Sequence, residues 1–454
     1  MEGADAAKRA PRFGLMLALL ALLAFALREH YVLSAIVAHP IRGDIREYVA
    51  YAWNLAEHGV FGKTPPPMLP VPDDYRSPGY PWLIALAMRV FGQAPAWDLA
   101  GPWYPWVLQL QVLLGTATVV MTALLARYWL SATWSIVAGL LLACWPHHVA
   151  ATNTLLTEVL FGCLLLGGLL AFARAWTTQR MRWFVATGAV FASAALVNPV
   201  ALLFVPCLAA LGAWHRRRRA AVVLLAVFLV PVLALGVRNA GLPDQGSGGD
   251  RASLNFVQGS WPDYHAAATR LRSGDPLAIA VTQEIDAEQR TLRDDPIAGL
   301  RRIGARMADA PAFYAKWYAG KPWALWGWKI RIGASDIAFL EVQRSPFERM
   351  GVLRALRVAY RTLNPLLTTL MLASALVLAW RGLRHAESMP AAATGLLAVY
   401  LTAVHVVLQA EPRYAVAYRG IEAVLVVAAL AWAAGKVRKR PSLGTLNSTG
   451  RKRH

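Results

Sequence analysis

Two carboxylates and three arginines stand where long apolar blocks meet polar chain: Asp44, Glu158, Arg76, Arg238 and Arg413. A carboxylate at the lipid–water boundary is what an enzyme acting on a membrane-anchored substrate needs as a general base. Guanidinium groups at the same level suit a phosphate. Each residue also has a plainer reading. Asp44, with Glu47 three residues on, fits a capping box. Arg76 and Arg413 fit headgroup anchors. Glu158 opens an apolar helix, where an acid complements the helix dipole. Even so, an acid at the edge of hydrocarbon is costly, which makes Glu158 a functional candidate by default. His147 and His148 are adjacent, point in different directions on a helix, and are not expected to share a metal.

These residues must be positioned by a membrane bundle. The chain is 57% hydrophobic and only 16% charged, whereas a soluble domain is about a quarter charged. Its apolar residues come in long blocks that only lipid makes stable. The blocks are Phe13 to beyond Tyr31, Trp106–Tyr128, Trp134–Ala150, Leu155–Trp176, Trp183–Val197, Val200–Trp214, Ala220–Val237, Pro365–Trp380, Ala391–Gln409 and Ile421–Ala434. Asn198-Pro199 breaks the fifth from the sixth. The first, though preceded by a basic flank like a signal peptide, is read as a retained helix because no small-residue cleavage pattern closes it.

Basic residues mark alternate ends: Lys8, Arg9 and Arg12; Arg127; Arg174, Arg180 and Arg182; Arg216 to Arg219; Arg381 and Arg384; and Lys436, Arg438, Lys439 and Arg440. The positive-inside rule makes that side cytoplasmic. The expected fold is therefore all-α, a polytopic bundle of about ten transmembrane helices with amphipathic interfacial helices in two large external loops. Residues 1–440 form the transmembrane domain, with external loops at 39–105 and 238–364. Residues 441–454 form a basic cytoplasmic tail.

The net charge of +20 does not signal nucleic acid. The basic residues flank apolar blocks or lie in one long loop, not along one recognition stripe. Anionic lipids and phosphate-bearing substrates explain the excess. Cys144, Cys163 and Cys207 all lie in apolar blocks, without ligand spacing or a disulfide framework.

The first external loop opens on Asp44 to Gly59. Ile45, Val49, Ala52, Leu55 and Ala56 recur at helical spacing, and Asp44, Glu47, Tyr51, Asn54 and His58 lie largely opposite. This predicts an amphipathic helix on the membrane surface. Further along, Arg76-Ser77-Pro78-Gly79-Tyr80-Pro81 forces a turn at the mouth of an apolar helix. In the second loop, the dense tryptophans between Trp317 and Trp328 suit a segment lying in the interface.

The order of these features resembles the bacterial membrane glycosyltransferases of the GT-C superfamily. It carries Arg28 at the end of the first helix, Asp44 opening a helix that ends in Leu55-Ala56-Glu57-His58-Gly59, then Arg76 to Pro81, Phe91-Gly92, Thr157-Glu158, Arg238-Asn239 and Arg413-Tyr414. The nearest branch looks like the protein O-mannosyltransferase and lipid A aminoarabinose transferase group, the phospholipid-carrier-dependent enzymes. The resemblance spans Arg28 to Tyr414.

It implies transfer of a sugar from a polyprenyl-phosphate donor to a lipid, glycan or protein acceptor outside the cytoplasm of a bacterial inner membrane. Asp44 matches the family's first-loop aspartate and would act as the base. Glu158 matches a second acidic position. Arg76, Arg238 and Arg413 would neutralise the leaving phosphate. Tyr80 and Tyr414, beside two of these arginines, join the substrate-binding set. Protein O-mannosyltransferases usually carry adjacent Asp and Glu in the first loop. Here Asp44 and Glu47 stand three apart, and this leaves the acceptor open. No cofactor is required by these residues, and a divalent metal stays open without a ligand cluster to hold it. The alternative function is a polytopic lipid or polysaccharide transporter, although no inverted repeat is evident.

Overall fold

The computed structural model describes residues 2–92, 101–242 and 248–435. The flank from Lys436 to Arg440 and the tail expected after it lie outside these residues. In chain order, α1 (Glu2–Ser34) leads to a two-residue strand β1 (Ile36–Val37), then α2 (Asp44–His58) and a short apolar α3 (Gly79–Phe91). Next come α4 (Trp103–Ala126), α5 (Ala132–Ala143), α6 (Pro146–Ala150), α7 (Glu158–Thr178), α8 (Met181–Val197), α9 (Phe204–Trp214) and α10 (Arg218–Ala240). A run of further helices follows: α11 (Gly248–Ser260), α12 (Tyr264–Arg270), α13 (Pro276–Asp294), α14 (Pro296–Ala308) and α15 (Pro311–Leu325). The chain ends with β2 (Val342–Gln343), α16 (Pro346–Arg349), α17 (Gly351–Arg384), α18 (Met389–Val407), α19 (Pro412–Ala415) and α20 (Arg419–Ala433).

The chain is a polytopic helical bundle. Among the described residues, seven helices are long and apolar enough to cross a membrane, or eight if α5 and the helical stretch after it, bent by 58°, count as one span. Every expected apolar block is helical, but α8 and α9 are shorter than a full span, so length and composition alone do not reach ten. The break between them, at Asn198-Pro199, is held by the Asn198 side chain accepting from Val200 N at 3.1 Å. The helix expected to begin at Pro365 starts earlier, at Gly351, and carries Pro365 inside it. Membrane helices tolerate such a proline when neighbours satisfy the freed carbonyl.

The two long polar stretches are folded into helices, the second with a core of its own. Val257, Ile285 and Ile303 form a small core joining α11, α13 and α14. Asp275 and Asp295 cap α13 and α14, each followed by proline at the first helical position. The expected interfacial tryptophans are used for packing instead. Trp326 and Trp328 are buried, with indole donors on Thr402 Oγ1 at 2.9 Å and Asp336 Oδ2 at 2.7 Å. Trp323 alone among the four from Trp317 to Trp328 is classed as exposed. The polar face expected on α2 is covered too. Asn54 donates to Gly62 O and Thr64 O, and Tyr51 to Asp73, so the following loop folds back over it. β1 and β2 pair antiparallel, tying the chain just after α1 to the segment before α16.

Arg419, fully buried at the start of α20, donates to Trp326 O at 3.0 Å, Gly327 O at 2.6 Å and Glu422 Oε2 at 2.5 Å. Arg419→Met leaves a buried carboxylate without its partner. We expect it to destabilise the fold by about 3–5 kcal/mol. The double variant Arg419→Met/Glu422→Leu should lose less, as read by melting curves of the purified protein in detergent.

Candidate functional site

The site starts at the N-terminus of α2. Gly43 holds the N-cap position at φ 59° and ψ −133°, a conformation glycine reaches without a Cβ clash. No side chain caps this helix, so the capping box expected of Asp44 and Glu47 does not form. Both carboxylates turn to Arg76. Its Nη2 donates to Asp44 Oδ1 at 2.7 Å and its Nε to Glu47 Oε2. Arg413 Nη2 donates to the other Asp44 oxygen at 3.0 Å. Arg413 Nε also lies 3.6 Å from Glu158 Oε1. Four of the sequence-picked residues thus meet in one cluster, from the start of α2, the loop before α3, the start of α7 and α19.

Each arginine is held by its surroundings. The Arg76 guanidinium lies 5.1 Å from the Tyr48 ring centroid, and the Arg413 guanidinium 4.5 Å from that of Phe339. The loop that presents Arg76 is folded around Asp73, which accepts from Lys63 N at 2.8 Å and Tyr75 N at 3.1 Å. The turn before Glu158 is fixed by Gln111, whose amide donates to Thr152 O and Thr154 O at 3.1 Å. Within the cluster of Asp44, Arg76, Glu158 and Arg413, two buried side-chain atoms have no hydrogen-bond partner: Arg76 Nη1 and Glu158 Oε2. Burial acts to raise the Asp44 pKa, but Arg413 and Arg76, with Arg251 behind them, outweigh it and hold the carboxyl well below the usual carboxylate range.

The cluster borders a cavity of about 730 Å³. One part of its wall is polar, with Arg76, Arg238, Arg251, Asn198, Asn239 and Tyr414. Another is apolar, with Leu196, Leu202, Leu203, Val232, Leu235 and Val404. The apolar part comes largely from the broken segment between α8 and α9, from α10 and from α18. A smaller cavity of about 40 Å³ lies among Asp44, Glu158 and Arg413, and shares Tyr48, Asn198, Arg251 and Tyr414 with the large one. A third, of about 20 Å³, touches Glu158 and Arg413 from the side of Ile337 and Phe339.

The other sequence-picked residues lie around this centre. Tyr414 lines both larger cavities and stacks on His405. Arg238 is in the large cavity's wall, but its donors are engaged by Asp73 O at 2.8 Å, Phe61 O at 3.1 Å and Asn239 Oδ1 at 3.0 Å. Tyr80 is fully buried under Tyr48, with its hydroxyl on Gln111 at 3.0 Å, and lines none of the three cavities. Sequence reasoning missed Arg251, Tyr48 and Asn198 as wall residues. Asn198 had a visible signal, since it interrupts an apolar block. Arg251 had none within a long, arginine-rich loop. His147 and His148 diverge as expected, one to Trp328 O and the other to Arg28. Among the described residues no group of three or more His, Cys, Asp or Glu is placed to hold a metal ion.

Residues 75–237 match the family model described as dolichyl-phosphate-mannose-protein mannosyltransferase. Arg76, Tyr80 and Glu158 fall inside that range. The Archaeoglobus fulgidus oligosaccharyltransferase tethered to an acceptor peptide shares the fold, with a TM-score of 0.53 at 14% identity over 93% of this chain and 50% of that one. AglB from the same organism, in complex with an inhibitory peptide and a dolichol-phosphate, gives 0.50 at 16% identity over 94% and 51%. ArnT from Cupriavidus metallidurans in the apo state gives 0.37 at 16% identity over 88% and 78%. The chain spans about half the length of the oligosaccharyltransferases it matches. No curated protein sequence matches it. The family match covers the residues that carry Arg76, Tyr80 and Glu158, well under half of the chain, and the fold on which they sit is similar to that of the Archaeoglobus fulgidus oligosaccharyltransferase.

Proposed function

We propose that this protein transfers a sugar from a polyprenyl-phosphate carrier to an acceptor hydroxyl, with Asp44 as the general base. The observation that carries this is the convergence of Arg76 and Arg413 on one carboxylate at the edge of a cavity lined by arginines and by apolar side chains. A prenyl chain fits the apolar wall, and its phosphate fits the arginines. The fold neighbour AglB binds a dolichol-phosphate, a ligand of this chemistry.

The acceptor oxygen attacks the anomeric carbon as the bond from that carbon to the phosphate oxygen breaks. The bonding pair leaves with the phosphate, and the acceptor proton passes to Asp44. A carboxylate held by two guanidinium groups is a weak base. An arriving phosphate competes for both of them, beginning with the unpartnered Arg76 Nη1. Each guanidinium drawn toward the phosphate raises the basicity of Asp44. The base therefore becomes competent when the donor is in place. Glu158 keeps Arg413 near the centre while its bond to Asp44 loosens. The acceptor approaches from the side of Ile337 and Phe339, away from the carrier.

The site lies at the opposite end of α10 from Arg216 to Arg219. The charge rule puts those arginines in the cytoplasm, so the site faces the periplasm from a bacterial inner membrane. Tyr80 acts here through Tyr48 and Gln111, and Arg238 holds the Arg76 loop as well as the cavity wall.

The test is transfer of labelled sugar from a polyprenyl-phosphate donor to cell-envelope acceptors by the purified protein in lipid. Asp44→Asn should lower the rate by at least about 100-fold while the protein stays folded. Full activity in that variant sinks the assignment, and movement of carrier lipid across vesicles without sugar transfer favours a transporter. A second expectation concerns pH. The folded-state pKa of Asp44 is depressed, so its contribution to stability is complete above its unfolded value and is lost as pH falls through the folded one. The melting-temperature gap between wild type and Asp44→Asn should hold from neutral pH to about pH 5 and shrink only below about pH 4. In an Arg413→Ala background the folded-state pKa is less depressed, so the gap should be smaller and its loss complete at higher pH.

A further inference from the structure

α11 crosses from the Arg76 loop to the end of α18. At its start, Gly248 N donates to Asp74 Oδ1 at 3.3 Å, and the next turn brings Arg251 into the walls of both larger cavities. At its far end Gly259 lies directly on Leu408, so close that a Cβ there would overlap the Leu408 carbonyl. Lys321, from α15, is 1% exposed and closes this junction. Its ammonium donates to Gly259 O at 2.9 Å and to Leu408 O at 2.6 Å. Trp317, one turn earlier on α15, donates to the same Gly259 carbonyl at 3.1 Å. Leu408 itself lines the large cavity, as do His405 and Gln409 beside it.

A buried lysine among carbonyls is an expensive way to pack two helices. Burial pushes its pKa down to about 7. An apolar side chain would fill the space at lower cost, but it would take this donor from the Leu408 carbonyl and leave the Gly259 carbonyl with Trp317 alone. What the lysine adds is a fixed distance between α11 and α18. Arg251 and Gly259 lie eight residues apart on one helix, about 12 Å along its axis. A shift at the Gly259 end therefore moves Arg251.

We propose that Lys321 is a positioning residue for the reaction: by bridging Gly259 and Leu408 it fixes α11 against the cavity and so holds Arg251 where the carrier phosphate binds. Arg251 is the third guanidinium of that site, delivered from outside the membrane bundle. The proposal rests on the carrier-phosphate reading of the cavity.

The experiment measures binding of undecaprenyl phosphate, without sugar, to the purified full-length protein in detergent, with a melting curve for every variant. Arg251→Ala should weaken binding by about tenfold, and Lys321→Met by a similar factor. The double variant should bind no more weakly than either single one, because the lysine acts through the arginine. Gly259→Ala, which keeps the lysine but forces α11 off Leu408, should reproduce the loss even if Lys321→Met does not fold. Wild-type binding by Lys321→Met or by Gly259→Ala overturns the proposal. So does a double variant whose loss is the product of the single losses, since the lysine then serves only the fold. Arg76→Ala separates the two levels: if it too binds like wild type, or if wild type does not bind the probe, the carrier site itself is wrong.

Discussion

The arrangement depends on a balance of charge at one carboxylate. Asp44 stands at the start of α2 with Arg76 on one oxygen and Arg413 on the other. Charges this close are strongly coupled where water is partly excluded, so neither arginine can be removed without exposing the others. Much of the surrounding structure serves to keep the three in register. Asp73 shapes the loop before Arg76, Gln111 shapes the turn before Glu158, and Phe339 supports Arg413. The elements that bring them together are far apart in the chain, so the bundle must be complete before the centre exists.

The site is also a place where the backbone leaves regular helix at membrane level. Residues 198–203 interrupt two apolar helices and form part of the cavity wall. Irregular backbone at that depth is tolerable only where protein or a cavity surrounds it. Here the Asn198 side chain satisfies the Val200 amide, and Tyr400 donates its hydroxyl to Val200 O at 2.6 Å. The short lengths of α8 and α9 thus reflect the cavity they enclose.

Much of this was legible in the amino-acid order. Helix positions followed from long apolar blocks, which admit few alternatives in lipid. Asp44, Glu158, Arg76 and Arg413 were conspicuous because ionised groups at the edge of hydrocarbon are costly and need a reason. What remained hidden depended on tertiary cover. Tyr51 and Asn54 looked solvent-facing, but a loop with no periodicity folds onto them. Trp326 and Trp328 carried an interfacial composition, yet their partners Thr402 and Asp336 come from other elements. Arg251 was one arginine among many in a polar stretch, and only the packing of α11 singles it out.

Leu203 lines the large cavity and is 65% exposed, so the apolar wall is not sealed at the break between α8 and α9. On the proposed function, a carrier would keep its tail in the bilayer while its head sits among the arginines. Its encounter with the protein would then be a two-dimensional search. The quantity that sets occupancy is the mole fraction of carrier in the leaflet, not its amount per volume of buffer. Diluting the carrier with inert lipid would slow the enzyme at constant bulk concentration, and lengthening the tail beyond the wall would matter little.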